Sequence, residues 1–453
     1  MQVETPRWNE HVAGAALPPL VPGLPLLGNA LDMNGNALPF LVAAYKHYGP
    51  IFRVRAANRR FTVIAGPEAN QFMAEADGDL LRSRELWQDY AKEWNSPHLI
   101  GVLNGEPHAQ IRKVMKPGYA RGVITSRLPE VVNIVRTHAQ TLEIGTAFSV
   151  LPFLQRVVSD QLGMLLVGRV PGEYLDDMRR YVRTSLNVLV IRQWPRLMLR
   201  DPAYQRSKRR VAMLAQEVIA AHRSGALDTP SSLIADLAAA HDANPQGFTD
   251  ADLLTAILGP YIAGLDTVAN TCTFLVYELL RHPAILASLR AEVDMLFAQG
   301  ITVEGLKQLH TLHGAAMEAL RLYPVGGVNQ RTATRPFSFA GFLVPSDETV
   351  IVAGGVAHYL PTFYPDPTAF DIGRYRVPRN EHRQRGAFAP FGTGPHTCLG
   401  AGLAEVQIMV TTAALLHALD LEAMPGYRPK VGLDPTITLG RGFRVRARAL
   451  RHQ

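Results

Sequence analysis

A mainly helical fold with small sheets is predicted by three observations. Helical patterning runs almost unbroken from Glu68 to Tyr323, the nearly uncharged stretch Leu253 to Leu280 suits one long buried helix, and strand-like sequence is confined to short runs near both ends. The 453 residues allow about three domains of roughly 150 residues each, or one unusually large fold. No Pro/Gly/Ser-rich seam and no internal repeat divides them, so residues 1–453 are read as a single domain, with residues 1–36 as a proline-rich lead-in. Hydrophobic residues at 47% and charged residues at 19% supply a core and argue against wholesale disorder. Two cysteines, Cys272 and Cys398, exclude a disulfide scaffold and a four-cysteine zinc site, and they suit a reducing compartment. Lys+Arg 46 less Asp+Glu 39 gives +7, without the dense basic tract of a nucleic-acid arm, so no nucleic-acid partner is expected and an acidic protein partner is allowed.

Met1 to Pro19 carries Glu4, Arg7 and Glu10 and no long apolar core, which reads as neither signal peptide nor membrane anchor; a cytoplasmic protein is expected. Pro18 to Pro25 should be extended, followed by a helix starting near Pro39 and closing at Gly49. Ile51 to Arg55 and Phe61 to Ala65 read as a β-hairpin turned at Ala57-Asn58-Arg59. The helical region should break at Pro107, Pro117, Pro195, Pro202, Pro230 and Pro283. Strands are expected again at Thr349 to Val352 and Gly442 to Ala447, with loop-rich sequence from Pro361 to Gly394. Within Leu253 to Leu280, Asp266, Thr267, Asn270 and Thr271 put a polar stripe along one side, so this helix should cross a soluble core, kinked early by Pro260.

The strongest chemical signal is Phe391-Gly392-Thr393-Gly394-Pro395-His396-Thr397-Cys398-Leu399-Gly400. Gly392, Gly394 and Gly400 let the backbone turn tightly and approach a flat ligand. Loop amides and the start of the following helix can favour thiolate over thiol, as an axial ligand to heme iron requires. A buried free cysteine in a turn is the plainer alternative. The segment resembles the heme-binding loop of the cytochrome P450 family, F-x-x-G-x-H/R-x-C-x-G, at every fixed position. The resemblance implies a P450 fold of helices enclosing heme b, with Cys398 as the proximal iron ligand, Phe391 packed beside it and His396 near a heme propionate.

Further marks follow in the family's order. Glu318 and Arg321 stand three apart on a helix and can pair; alone they would suit an ordinary surface ion pair. With Arg374 they resemble the family's E-x-x-R helix and later arginine, which implies a structural role holding the cysteine loop. Ile372 stands where the family usually has proline and Tyr375 where it has phenylalanine. Ala263-Gly264-Leu265-Asp266-Thr267 resembles the family's A-G-x-D/E-T segment over the distal heme face. Gly264 and a threonine bonding back one turn would permit a local widening of the helix, and Asp266 with Thr267 form an acid and alcohol pair able to relay protons. A helix cap or a satisfied buried Asp is the alternative. His108 and Arg112, four apart, suit carboxylates or plain solvent; they resemble the family's G-x-x-H-x-x-x-R helix, and Arg331 resembles a further propionate contact. After the cysteine, Glu405 and Gln407 occupy positions where arginine and glutamate are common in the family.

What the resemblance implies is monooxygenation: one atom of O2 enters a lipophilic small molecule and the other leaves as water. No dinucleotide fingerprint occurs in this chain, so electrons are expected from a ferredoxin or flavodoxin with an NAD(P)H-dependent reductase, docking near Lys113 and Lys116. Candidate pocket walls are Trp87, Trp94, Leu189, Ile262, Val325 and Val328, which suit a terpenoid, steroid, fatty acyl or aromatic substrate. The alternatives are a peroxygenase driven by H2O2 and a heme-free helical binding protein. A thiol redox enzyme would need a resolving partner, and Cys272 lacks C-x-x-C spacing.

Overall fold

The lead-in runs extended from Pro18 to Leu24 and turns at Pro25, because it is held against a strand: Val21 N donates to Arg53 O at 2.9 Å and Arg53 N to Pro19 O at 2.7 Å. The computed structural model describes residues 8, 14–75, 80–427 and 430–452. Glu4, Arg7 and Glu10 lie outside them. The described chain forms two compact units, each assembled from distant segments: Met1–Gln88, Gly101–Ala109 and Leu320–Cys398 in the first, Asp89–Ile100, Gln110–Ala319 and Leu399–Gln453 in the second.

The first unit is organised by a five-stranded sheet, in spatial order Ile51–Ala56, Arg59–Ala65, Thr349–Ala353, Asn329–Ala333 and Leu81–Arg82. Only the pairing of Arg59–Ala65 with Thr349–Ala353 is parallel. The hairpin turn is tighter than expected. Arg59 already pairs with Ala56, so the turn is Ala57-Asn58, with Ala57 at φ 52°. The helix Leu38–Tyr48 stops at Gly49, whose φ of 84° suits glycine. One side of the sheet buries Leu41, Phe52, Val63 and Tyr364; on the other, Phe72 stacks on Phe337 at 5.4 Å and meets Phe339 edge-on at 5.3 Å. From Leu360 to Cys398 there is no strand or α-helix, only short 3₁₀ turns at Ile372–Tyr375 and Glu381–Arg383.

The second unit is built around the helix Asp250–Arg281, longer at both ends than its apolar stretch. Thr249 starts it with a capping box: Asp252 N donates to the Thr249 hydroxyl at 3.3 Å and Thr249 N to the Asp252 carboxylate at 2.9 Å. It is α-helical through Pro260 and packs against Val150–Leu162 and Ala401–Ala418. The helical stretches Val150–Val167, Asp250–Arg281 and Ala401–Ala418 are each long and apolar enough to cross a membrane, yet 56–78% of the apolar 18-residue run in each is buried inside the protein. The last strand, Arg444–Leu450, starts two residues later than expected and pairs with Ala147–Ser149 and Leu419–Ala423. A small hairpin joins Gly432–Leu433 to Ile437–Thr438. The break at Pro107 is a helix start: the proline lies in the first turn of Gly105–Met115, where its missing N–H costs nothing.

Candidate active site

The loop from Phe391 to Cys398 closes on itself through backbone bonds. Cys398 N donates to Phe391 O at 2.9 Å, and Thr397 N donates to Gly394 O at 3.0 Å. Gly392 and Gly394 adopt φ 71° and 77°, which bulkier residues resist, and a Cβ on Gly392 would meet nothing within 4 Å. Gly400 differs from the expectation: its φ is −91°, so no left-handed turn requires it, and it caps the helix Ala401–Ala418 while accepting from Ala404 N at 2.8 Å. Asn70, which the sequence did not single out, ties the loop down; its side chain donates to Gly354 O at 3.1 Å and Gly386 O at 2.8 Å, and its carbonyl accepts from the Thr393 hydroxyl at 2.9 Å. Cys398 is exposed, against the reading of a buried structural thiol, whereas Cys272 is buried and its thiol is pushed up to about 12 by desolvation. In the same unit His108, 4% exposed, lies ring to ring with half-buried His396 at 4.0 Å, and Arg331 is 9% exposed. Phe391 is half-buried.

Arg321 and Arg374 are both fully buried, which removes the surface-pair reading. Arg321 donates to His358 O at 2.7 Å, Pro367 O at 2.6 Å and Ala369 O at 3.1 Å, so its guanidinium ties together the chain leading to the cysteine. Arg374 donates to Pro365 O at 2.8 Å, Asp366 O at 2.7 Å and the Glu381 carboxylate at 2.9 Å. Both guanidiniums sit over the Tyr364 ring, at 5.0 and 5.8 Å. Glu381, Tyr364 and His358 were not anticipated. His358 Nε2 accepts from Ala389 N at 3.0 Å, so Nδ1 carries the proton and donates to Arg321 O at 3.1 Å. Burial, with Arg321 beside it, pushes its pKa down to about 3, which keeps the ring neutral. Glu318 is fully buried one turn before Arg321 on the helix His310–Leu322.

On the central helix of the second unit Ala263 is exposed and Ile262, Gly264 and Thr267 are half-buried, a bare patch on an otherwise packed helix. The Thr267 hydroxyl donates to Ala263 O at 2.6 Å, as its spacing predicted. The helix is nonetheless not widened. Gly264 serves packing instead, since a Cβ there would meet Leu162 Cδ1 at 2.7 Å. Asp266 is 6% exposed, accepts from Gln155 Nε2 at 2.6 Å, and is pushed up to about 6, chiefly by desolvation. Its folded value lies above the unfolded one of about 3.9, so its contribution is fully favourable below that pH and is lost as pH rises through about 6. Asp266→Asn, which keeps an acceptor for Gln155, should therefore raise stability at pH 7–8 by about 2 kcal/mol and leave it unchanged near pH 4. Denaturant unfolding of both proteins at both pH values checks this, and an equal difference at the two would refute it.

Comparison with known proteins decides what this loop and helix belong to. The family profile for Cytochrome P450 matches residues 18–441. The chain belongs to the cytochrome P450 family. Relatives include a putative cytochrome P450 136 of Mycobacterium tuberculosis, 27% identical over 93% of this chain and 87% of that protein. A cyclooctat-9-en-7-ol 5-monooxygenase of Streptomyces melanosporofaciens is 25% identical over 89% of each. Among solved structures, retinoic acid-bound cyanobacterial CYP120A1 superposes with a TM-score of 0.81 at 24% identity, covering 96% of this chain and 99% of that one. The chain is thus a P450 monooxygenase, an oxidoreductase whose cofactor is heme b, and the heme-free alternative falls away. The residues fit that cofactor: an exposed thiol stands at the end of a loop whose glycine leaves open space beside it.

The other sequence-derived positions of this P450 are distributed as follows. Arg112 is half-buried on Gly105–Met115, one turn after His108, and Lys113 and Lys116 are exposed. Trp87 packs against Gly101, where a Cβ would meet its ring at 2.6 Å. Trp94 donates to Tyr181 within an aromatic cluster that includes Tyr90 and Tyr204, which makes it packing as much as wall. Leu189 is buried, Val325 half-buried and Val328 exposed.

Proposed function

We propose that this P450 is a heme-thiolate monooxygenase that hydroxylates or epoxidises a lipophilic small molecule, using O2 and electrons from an external partner. The observation that carries this is the exposed Cys398 at the end of a loop closed by its own backbone, with open space beside Gly392. Cys398 would ligate the iron. His108, Arg112, Arg331 and His396 would meet the propionates, while Phe391, Gly392 and Gly400 line the loop. Bound heme supplies the oxidising chemistry. The protein's own part is to hold that loop through Asn70, Arg321 and Arg374, and to deliver protons. Thr267, resting on Ala263 O, is a hydroxyl that can pass a proton on, and Asp266 is an acid that changes charge near pH 6.

A lipophilic substrate is supported by the bare positions Ile262 and Ala263 and by the relative named as a cyclooctat-9-en-7-ol 5-monooxygenase. An acidic ferredoxin or flavodoxin is supported by exposed Lys113 and Lys116. Reversing both to Glu should slow first electron transfer about tenfold or more at low salt, the gap closing as salt rises; an unchanged rate at low salt refutes that docking site. Cytoplasmic residence belongs to the same reading.

The central test is the reduced, carbon monoxide-treated protein from heme-replete cells. A red-shifted Soret band supports thiolate ligation, and a colourless preparation or an unshifted band ends the proposal. Turnover sustained by a reducing partner, and not by H2O2 alone, separates monooxygenase from peroxygenase.

A further inference from the structure

Two arginines in the second unit lie close enough to act electrostatically on Asp266, Arg179 and Arg183, and each is engaged elsewhere. Arg183 Nε donates to both oxygens of Asp434, at 3.0 and 2.8 Å, its terminal nitrogen lies 2.6 Å from the same carboxylate, and its guanidinium sits 5.0 Å over the Trp194 ring. Arg179 donates to Asp176 at 2.9 Å and to Pro152 O. Asp434 is itself fixed. It stands in the hairpin between Gly432–Leu433 and Ile437–Thr438, accepts from Asn187 Nδ2 at 2.8 Å, and its N–H donates to Thr436 O at 2.8 Å. The hairpin meets the central helix one turn beyond the acid, where Asn270 Nδ2 donates to the Thr436 hydroxyl at 3.1 Å.

We propose that Asp434 is a positioning residue for the proton-relay acid: by withholding Arg183 it leaves Asp266 held by the Gln155 amide alone, with no cation paired to it. The inference rests on the reading of Asp266 as the acid that delivers protons. Three features point the same way. The only side-chain bond to the Asp266 carboxylate among the described residues is the neutral one from Gln155, at 2.6 Å. Gln155 Oε1 and Asn270 Oδ1 are buried acceptors without a donor, so the acid's surroundings are short of donors and favour its protonated form. The groups that shift Asp266 oppose one another: Asp434 raises it, while Arg179 and Arg183 lower it, and Arg179 is in turn influenced by Asp176, Arg156 and Arg441. An arginine released from Asp434 would have one other carboxylate within its electrostatic reach, Asp266. A direct pair would hold that acid ionised well below pH 6, where without a cation it takes up its proton.

The test is a pH titration of the buried carboxyl stretch of the heme-loaded protein by difference infrared, the band assigned by its loss in Asp266→Asn. Asp434→Asn should lower the midpoint from about 6 by about one pH unit or more. The drop should shrink to less than half in an Arg183→Gln background, because the released arginine is what causes it. Arg183→Gln alone, which serves if Asp434→Asn does not fold, should raise the midpoint. An unchanged midpoint in Asp434→Asn, a drop that persists in full without Arg183, or an unmoved midpoint in Arg183→Gln each overturns the proposal. Coupling of reducing equivalents to product, followed against pH, separates this from the underlying reading. If the midpoint moves as stated and the coupling profile does not follow it, Asp434 does withhold Arg183 and Asp266 is not the relay acid.

Discussion

Cys398→Ser should leave a folded protein that lacks the red-shifted ferrous carbon monoxide band and whose monooxygenation falls below detection. The side chain is exposed and the loop is closed by main-chain bonds, Cys398 N to Phe391 O at 2.9 Å and Thr397 N to Gly394 O at 3.0 Å, which a serine keeps. Stability without heme should therefore change by no more than about 0.5 kcal/mol. The chemistry should not survive, because an alcohol of this kind stays protonated where a thiol beside a helix start ionises, and the electron-rich sulfur is what the iron uses. Absorbance of the reduced, carbon monoxide-treated variant, together with its unfolding curve, checks both halves. Retention of the shifted band would mean that another ligand holds the iron.

The contrast between that loop and its surroundings shows which parts of a site are written locally. Gly392, Gly394 and Cys398 are legible because their work is done within ten residues of chain: two left-handed glycines and one backbone bond make the turn wherever it stands. The close of Leu38–Tyr48 at Gly49 and the Thr267 bond to Ala263 are local in the same sense. Gly264 and Gly400 show the opposite case. Gly264 makes room for Leu162, a hundred residues earlier in the chain, and Gly400 follows no conformational demand that glycine alone meets. Gln155 on Asp266, Asp434 on Arg183, and His358 between Arg321 and Ala389 depend on pairs that no spacing rule connects; the Arg183 to Asp434 separation is 251 residues. Strands such as Leu81–Arg82 and Ile437–Thr438 escaped because two residues cannot display a period of two.

The same distinction sets the size of the effect at Arg321. Arg321→Ala should cost about 3–5 kcal/mol, comparable with the removal of a buried charged partner elsewhere. Three carbonyls, of His358, Pro367 and Ala369, would lose their donor, the first of them in a fully buried position and the other two in half-buried ones. The Tyr364 ring would lose one of the two guanidiniums over it, the Arg374 group staying at 5.8 Å. A cavity of arginine size would open beneath the segment that carries Cys398. Lysine should rescue little, because one ammonium group cannot span acceptors that a planar fork reaches together. Thermal unfolding and the rate of heme loss to an apoprotein acceptor measure the two consequences. Heme loss should quicken in Arg321→Ala even at temperatures where the protein stays folded, because the bonds removed join the segments that lead to the loop, with His358 in turn accepting from Ala389 N. A variant with near-native stability and unaltered heme retention would show that Arg321 merely fills space and that Arg374, through Glu381, Pro365 and Asp366, holds the loop alone.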